Sequence, residues 1–218
     1  MHGKIIAITG ASGALGKVVV EAAAAQGAKI AAIDHAPSNA APSPDRTDIG
    51  GVDLTDATQA QQAIDAAAAH LGRLDALINI AGAFSFQTIA DGDTATWERL
   101  YRINTLTALH ASRAAIPHLV ASGMGRIVNI GALGALQAGS GMGPYAASKS
   151  GVHKLTESRR GEEEFPKVPD TPANRRDMPD ADFAAWVTPM ELANVILFLA
   201  SDQASAVTGA LIPVKGRV

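Results

Sequence analysis

The sequence predicts an α/β protein built on a doubly wound parallel sheet. Short apolar segments rich in β-branched residues alternate along the chain with longer segments in which apolar residues recur at helical spacing. A glycine-rich turn separates the first of these strands from the first helix. Strands that alternate with helices favour a parallel sheet with helices packed on both faces.

The first part of the chain contains four predicted strands and three predicted helices. The strands are 4–9, 28–34, 48–53 and 75–80, and the helices are 13–26, 57–71 and 94–122, the last of which tolerates Pro117. The segment 35–47 is rich in Pro, Ser, Ala and Asn, which is typical of a loop. The first two strands and the helix between them therefore form a βαβ unit.

The second part of the chain continues the same alternation. Strands are predicted at 126–130 and 210–214, helices at 145–159 and 189–200, and a glycine-rich loop at 131–143. The chain contains no internal repeat and no linker-like segment. We therefore expect one domain that spans residues 1–218.

Composition excludes several classes of function. The formal net charge is −3, and Lys and Arg are dispersed, so nucleic acid is not an expected partner. The absence of cysteine excludes disulfides and thiolate metal sites, and we expect no metal and a cytoplasmic location. The apolar run near the start is too short to cross a membrane, so no membrane association is expected.

The first turn, from Thr9 to Gly16, predicts a dinucleotide site of the Rossmann type. Gly10 permits the tight turn, Gly13 adds backbone freedom, and Gly16 lets the helix pack close to the sheet. A pyrophosphate would lie against the free N–H groups at the helix N-terminus. The candidate cofactor residues here are Gly10, Ser12, Gly13, Ala14, Leu15 and Gly16. The alternative is that these glycines only allow the chain to turn and bind no cofactor.

Acidic residues follow the next two strands. Asp34 ends the second strand, where a carboxylate can accept hydrogen bonds from the adenosine ribose and repel a 2′-phosphate. His35 follows and offers no arginine to a 2′-phosphate, so we expect NAD(H) rather than NADP(H). Asp53 and Leu54 are candidates for adenine contact. The alternatives are an Asx turn at Asp34 and a helix N-cap at Asp53 or Thr55.

Tyr145 and Lys149 are spaced to lie on one helical face, about one turn apart. An ammonium group and a positive nicotinamide ring would both favour the phenolate and lower the tyrosine pKa. Tyr145 could then give or take the proton of a substrate. The same spacing also arises by chance, with the tyrosine in a core and the lysine in solvent.

These motifs together resemble the short-chain dehydrogenase/reductase family over nearly the whole chain. The resemblance rests on the glycine turn, the segment Asn79-Ile80-Ala81-Gly82, Asn104 in the long helix, and the pair Tyr145 and Lys149. It implies that Tyr145 is the general acid/base, that Lys149 binds the nicotinamide ribose, and that Asn104 helps to hold a proton-relay water. It also implies that Asn79, Ala81 and Gly82 line the cofactor. A structural role for Asn104, satisfying local backbone, is the alternative.

The sequence departs from the usual family pattern at two positions. Ala132 stands where the family has its catalytic serine, and Ala14 replaces the middle glycine of the turn. Ser140 or a water could replace the missing hydroxyl. Both departures, and the segment 170–186, resemble the dihydropteridine reductase branch, whose substrate is a quinonoid dihydropterin. By that resemblance Thr171 would approach the nicotinamide carboxamide.

A further departure lies at 159–169. Compared with the family, this stretch is short by roughly two to three helical turns, and it is charged where a central strand should be apolar. We expect a shortened or disrupted sixth strand at 164–168, which would deprive 210–214 of its neighbour. Three explanations remain open. The tract could reflect a deletion or frame disturbance, its true sequence could differ from the one given, or it could be a surface excursion that leaves the core intact.

The predicted function is transfer of a hydride between NADH and a small carbonyl or quinonoid substrate, with Tyr145 as acid/base. The alternative is an NAD-binding protein with little or no turnover, because of Ala132 and the unusual tract. The partner is a small molecule, and the resemblance implies a homodimer or homotetramer formed by the long helix and the tyrosine helix.

Overall fold

The structure is a computed structural model that describes residues 1–38, 40–159, 162–166 and 186–214. Within these ranges the strands are β1 (Ile5–Thr9), β2 (Lys29–Ile33), β3 (Arg46–Ile49), β4 (Ala76–Asn79), β5 (Arg126–Ile130), β6 (Glu162–Pro166) and β7 (Leu211–Val214). They form one sheet in the order β3-β2-β1-β4-β5-β6-β7, and each neighbouring pair is parallel. The predicted doubly wound α/β fold is confirmed.

Helices connect these parallel strands. They are α1 (Ala14–Ala25), α2 (Ala57–Leu71), α3 (Thr94–Leu100), α4 (Thr107–Ala121), α5 (Gly143–Arg159) and α6 (Pro189–Leu199). A π-helical segment, Tyr101–Leu106, joins α3 to α4 without a break, so the predicted helix at 94–122 is present with one widened region. Such π segments are rare and are frequent at functional sites. No helix in the described part of the chain is long and apolar enough to span a membrane.

The core lies on both faces of the sheet, because alternate residues of β1 point in opposite directions. Ile6 and Ile8 pack in the cluster that contains residues of α1 and α6. Ile5 and Ala7 pack in the other cluster, with residues of α2 and α4. All five residues of β1 are buried, as expected for a central strand of a parallel sheet.

The strand order reverses at β1, which has β2 on one side and β4 on the other. The connections after β1 and after β4 therefore leave on opposite faces, and a crevice opens at the carboxyl ends of these two strands. Ligands of open α/β sheets bind at this kind of position. The glycine turn follows β1, so the topology places it at this crevice.

The third strand differs from its predicted position. It was expected at 48–53 after a loop that reached residue 47, but it is formed by Arg46–Ile49. This strand is at the sheet edge and pairs with β2, with Ile30 opposite Arg46. The apolar pattern did not locate this strand, because Ile49 is its one apolar side chain and packs only partly buried against the core.

The sixth strand is also displaced. It was expected at 164–168 and is formed by Glu162–Pro166. Its ladder with β5 is short, running from Glu162 opposite Val128 to Glu164 opposite Ile130. On its other side it pairs with β7, and that ladder runs along the whole of β7. The expectation that 210–214 loses its sheet neighbour is therefore wrong, because pairing is made by backbone groups and tolerates the three glutamates with which this strand begins.

Candidate active site

The turn after β1 requires glycine at two positions. Gly10 has a φ of +66°, and a Cβ placed there would lie 2.7 Å from the backbone nitrogen of Ala81. A Cβ on Gly16 would overlap the carbonyl oxygen of Gly10. Gly13 has an ordinary φ of −69°, and a Cβ there would lie 3.2 Å from the same oxygen. Gly10 and Gly16 are therefore the essential glycines of this turn.

The N-terminus of α1 opens into the crevice. Gly13 is the N-cap residue and makes no side-chain cap bond. The N–H groups of Ser12 and Gly13 already donate to Asp34 and to the Gly10 carbonyl oxygen. The first-turn N–H groups of Ala14, Leu15 and Gly16 have no acceptor within the helix, and these three residues line the cleft. These donors and the positive end of the helix dipole suit a pyrophosphate.

A cleft of about 1050 Å³ occupies the crevice. Most of the predicted cofactor residues line it, namely Gly10, Ser12, Gly13, Ala14, Leu15, Gly16, Asp34, Asp53, Leu54, Ala81 and Gly82. Arg99 and Arg102, which the sequence patterns did not single out, also line it from the long helical segment. The structure thus brings together residues that lie far apart in the chain.

Asp34 links the second strand to the glycine turn. One carboxylate oxygen accepts a hydrogen bond from the backbone N–H of Ser12 at 2.8 Å, and the other accepts from Ala36 N–H at 2.9 Å. The second bond is the Asx turn considered as the alternative role. Each oxygen retains a lone pair, so this residue can hold the turn and still face a ribose in the cleft.

Asp53 is also bonded to local backbone. Its carboxylate accepts from Thr55 N–H at 2.8 Å, and hydrogen bonds from Thr55 hold the pKa of Asp53 below its usual value. The N-cap of α2 is Asp56, which accepts from Thr58 and Gln59 N–H. The suggested N-cap role for Asp53 or Thr55 is therefore wrong, and the Asp53 side chain stays at the wall of the cleft.

The side chain of Asn79 lies below the cleft, in a buried polar network. Its amide donates to Ser112 Oγ at 3.1 Å and to Asn129 Oδ1 at 2.8 Å. Asn129 in turn donates to Thr156 Oγ1 at 2.7 Å. Asn79 and Asn129 are register partners on β4 and β5. The network ties these two strands to α4 and α5, so Asn79 positions the strand end that carries the residues after β4.

Asn104 is fully buried in the π-helical segment. Its amide oxygen accepts from Ala83 N–H at 2.8 Å, and its amide nitrogen donates to Ala83 O at 2.9 Å and to Ser148 Oγ at 2.9 Å. A Cβ on Gly82 would lie 2.6 Å from the amide oxygen. Asn104 therefore holds the segment after β4 against α5.

Tyr145 lies at the start of α5, where the ring of Phe84 packs edge-on against it with the ring centroids 5.0 Å apart. Burial raises the pKa of Tyr145 to about 12. The pKa of Tyr145 is therefore raised in this structure, whereas the sequence predicted that it would be lowered. The Lys149 ammonium donates to the carbonyl oxygen of Ile130 at 2.6 Å and is itself buried. A Cβ on Gly82 would lie 3.4 Å from that ammonium, so the lysine lies behind Gly82, which is part of the cleft wall. Tyr145 and Lys149 themselves are not among the residues that line the cleft.

Ala132, the residue at the family's serine position, is buried. Its backbone N–H donates to Nε2 of His153, one turn beyond Lys149 on α5, at 3.4 Å. Burial and the positive charge of Lys149 lower the pKa of His153 to about 4. Ser140, the suggested substitute for the serine, is exposed on the loop before α5. Thr171 lies outside the described residues.

Sequence reasoning missed Phe84, Ser148, His153 and the two arginines of the cleft. Ser148 could have been found, because it lies between Tyr145 and Lys149 and so faces the same helical neighbourhood. The others carried no local signal, since their contacts are with distant segments. Among the residues that the structure describes, no group of His, Asp or Glu is arranged to hold a metal ion.

Residues 4–168 match the short chain dehydrogenase family. The chain belongs to this family. Among curated relatives, it is 30% identical to 2-(S)-hydroxypropyl-CoM dehydrogenase 3 of Xanthobacter autotrophicus, over 99% of this chain and 96% of that protein. It is 32% identical to the galactitol 2-dehydrogenase of Cereibacter sphaeroides, over 99% of this chain and 95% of that protein.

A solved structure agrees with this assignment. The carveol dehydrogenase of Mycobacterium avium in complex with NAD superposes with a TM-score of 0.85 and 26% identity, covering 98% of this chain and 96% of that one. The alignment with the hydroxypropyl-CoM enzyme has 246 positions, more than the 218 residues of this chain. Relatives thus contain segments that this short-chain dehydrogenase lacks. As a member of the family, the chain is an oxidoreductase that uses NAD or NADP.

Proposed function

We propose that this short-chain dehydrogenase transfers a hydride between NADH and a small carbonyl or quinonoid substrate, with Tyr145 as the general acid/base. The observation that carries the proposal is the position of Tyr145 and Lys149 on one face of α5, with the Lys149 ammonium next to Gly82 at the wall of the cleft. A hydroxyl and an ammonium on this face can act together on a substrate held beside the residues after β4.

The residues present fit a dinucleotide. Gly10 and Gly16 leave room that a side chain would fill, and the exposed start of α1 offers N–H groups to a pyrophosphate. Asp34 would accept from the adenosine ribose, Asp53 and Leu54 would contact the adenine, and Lys149 would hold the nicotinamide ribose. When bound, the cofactor supplies or accepts the hydride.

Tyr145 would donate the proton to the substrate oxygen during reduction. With its pKa raised to about 12 the phenol is protonated at neutral pH, so it carries the proton that reduction requires. Efficient transfer needs a lower pKa, which the Lys149 ammonium and a positive nicotinamide ring would supply. For the reverse reaction the phenolate is needed, and the Lys149 ammonium together with a positive nicotinamide ring would favour it. Asn104 would position the segment after β4 and a proton-relay water between the lysine and solvent.

We infer a preference for NADH over NADPH. Asp34 places a carboxylate at the wall of the cleft, and it is followed by His35, so a 2′-phosphate would meet a negative charge. The carveol dehydrogenase structure, which holds NAD, is consistent with this choice.

One observation favours an electron-poor quinonoid acceptor, such as a dihydropterin, as the second candidate substrate. Ala132 provides no hydroxyl to polarise a carbonyl, and its N–H is bonded to His153. A quinonoid ring is already electron-poor and needs less polarisation than a ketone. Thr171 would contact the carboxamide group of the nicotinamide. Turnover of quinonoid dihydropterin with NADH, measured beside simple ketones, tests this candidate.

The decisive experiment compares Tyr145→Phe with Tyr101→Phe. The chain has two tyrosines, and Tyr101 is half exposed on the π-helical segment, so it is a matched control. We expect Tyr145→Phe to lose turnover by at least about 100-fold while NADH affinity, measured by fluorescence, is retained. Unchanged turnover in Tyr145→Phe would remove this mechanism and favour an NAD-binding protein without this chemistry.

We further propose that the protein is a homodimer or homotetramer in the cytoplasm. Trp97 and Tyr101 are large aromatic side chains that are partly exposed on the helical segment expected to pair, and a chain without cysteine needs no oxidising compartment. Light scattering on the purified protein tests the assembly, and cell fractionation tests the location.

A further inference from the structure

Two phenylalanine rings lie against the start of α5 and the loop before it. Residues 83–87 follow β4 as an irregular segment, and Phe84 packs edge-on against the Tyr145 ring at 5.0 Å. The ring of Phe86 covers Gly141, since a Cβ on that glycine would overlap it. Both rings remain substantially exposed, at 41% for Phe84 and 67% for Phe86. We call these two rings the phenylalanine wall.

The intervening residue points away from this wall. Ser85 Oγ accepts a hydrogen bond from Arg99 at 2.6 Å, and Arg99 lines the cofactor cleft. Phe84 and Phe86 contact the other side, which is formed by the loop before α5 and by the start of α5. The segment therefore has Arg99 of the cleft on one side and, on the other, two rings that pack on Tyr145 and Gly141.

The segment that carries the wall is held at both ends by hydrogen bonds to its backbone. Asn104 bonds both the N–H and the carbonyl of Ala83, and Gln87 N–H donates to the carbonyl of Gly141 at 2.8 Å. Two exposed rings fixed in this way present a preformed apolar surface. Exposed aromatic side chains next to a reacting group are typical of the lining of a small-molecule site.

We propose that the phenylalanine wall binds the ring of an alicyclic or aromatic ketone, whose carbonyl oxygen then faces Tyr145. The proposal rests on the proposed function and names its substrate class. The ketone carbon gains the hydride from NADH, which becomes NAD⁺, and the oxygen gains the Tyr145 proton, so the product is a secondary alcohol. An open-chain polyol is a poor fit, because its hydroxyls would lose water against rings that offer no hydrogen-bond partner.

The test uses the full chain with NADH and three ketones, namely cyclohexanone, 4-phenylcyclohexanone and dihydroxyacetone. We expect kcat/KM for 4-phenylcyclohexanone to exceed that for dihydroxyacetone by at least about tenfold. Phe86→Ala should remove most of this preference while leaving NADH affinity unchanged. Phe198→Ala on α6, where the ring is also exposed at 43%, is the matched control and should keep the preference.

Faster turnover of dihydroxyacetone than of both ring ketones would overturn the proposal, as would a preference for 4-phenylcyclohexanone that Phe86→Ala leaves intact. If no ketone is turned over, the result counts against the proposed function. Calorimetry with 4-phenylcyclohexanol and the NADH-loaded protein then tests separately whether the phenylalanine wall binds a ring compound. Binding that Phe86→Ala weakens and Phe198→Ala preserves supports the wall. The proposal for the wall is overturned if the alcohol does not bind, or if Phe86→Ala binds it as well as the wild type does.

Discussion

The backbone N–H of Ala132 donates a hydrogen bond to Nε2 of His153, across the space between the end of β5 and the second turn after Tyr145. The imidazole is buried, and its acceptor nitrogen requires the neutral ring. Lys149 lies one turn before it, and the charges of Lys154 and Glu157 also act on it. This arrangement joins the position of the missing serine to the helix that carries the reacting groups.

His153 makes stability depend on pH. Burial lowers its pKa to about 4 in the folded chain, against an ordinary value near 6.5. Its contribution is therefore complete above pH 6.5 and is lost as the pH falls towards 4, by an amount on the order of 2 kcal/mol. Urea unfolding of His153→Gln should show a flatter dependence between pH 4 and 6.5. The exposed His35→Gln is the control, and equal slopes in the two variants would contradict this prediction.

Gly16 should tolerate no side chain, whereas Gly13 should. A Cβ at residue 16 overlaps the Gly10 carbonyl oxygen, while one at residue 13 lies 3.2 Å from that oxygen with an ordinary φ. We expect Gly16→Ala to weaken NADH binding by more than about tenfold and to lower Tm, because α1 must move away from the sheet. Gly13→Ala should bind NADH within a few-fold of wild type. Similar losses in both variants would show that the close approach of α1 is not the cause.

Asp34 should set the cofactor preference. Replacement by Asn keeps an oxygen that can accept from Ser12 or Ala36 but removes the charge that faces a 2′-phosphate. We expect the ratio of the Kd for NADPH to the Kd for NADH to fall by roughly tenfold in Asp34→Asn. Asp45→Asn, at an exposed position beside Lys29, is the control for a simple change of net charge. An unchanged ratio in Asp34→Asn would assign the preference to other residues of the cleft.

Lys149 should control the pH profile through Tyr145. Lys149→Met keeps an apolar stem of similar length but removes the ammonium that favours the phenolate. In alcohol oxidation we expect kcat to fall by at least about 100-fold and the rising limb of the pH profile to move to higher pH. Lys154→Met, on the exposed face of the same helix, should leave both unchanged. A lower kcat with an unmoved pH profile would limit Lys149 to binding the cofactor.

Regular elements with strong apolar periodicity were predicted well from the sequence. The bounds of α2 and β5 agree with the structure at both ends, because Ala57–Leu71 and Arg126–Ile130 are flanked by clear start and stop signals. The two displaced strands, β3 and β6, lack this pattern. Their backbone groups pair with neighbouring strands whatever their side chains are, and pairing partners cannot be identified from a local window.

The sequence by itself determined the fold class, the glycine turn after the first strand and the placement of Tyr145 and Lys149 on one face of a helix. These features depend on local backbone geometry and on residue spacing. Tertiary structure alone decided that Phe84 packs on Tyr145, that Asn104 holds Ala83, and that His153 accepts from Ala132. Each of these contacts joins segments that are distant in the chain, and their meeting depends on how the strands are ordered in the sheet.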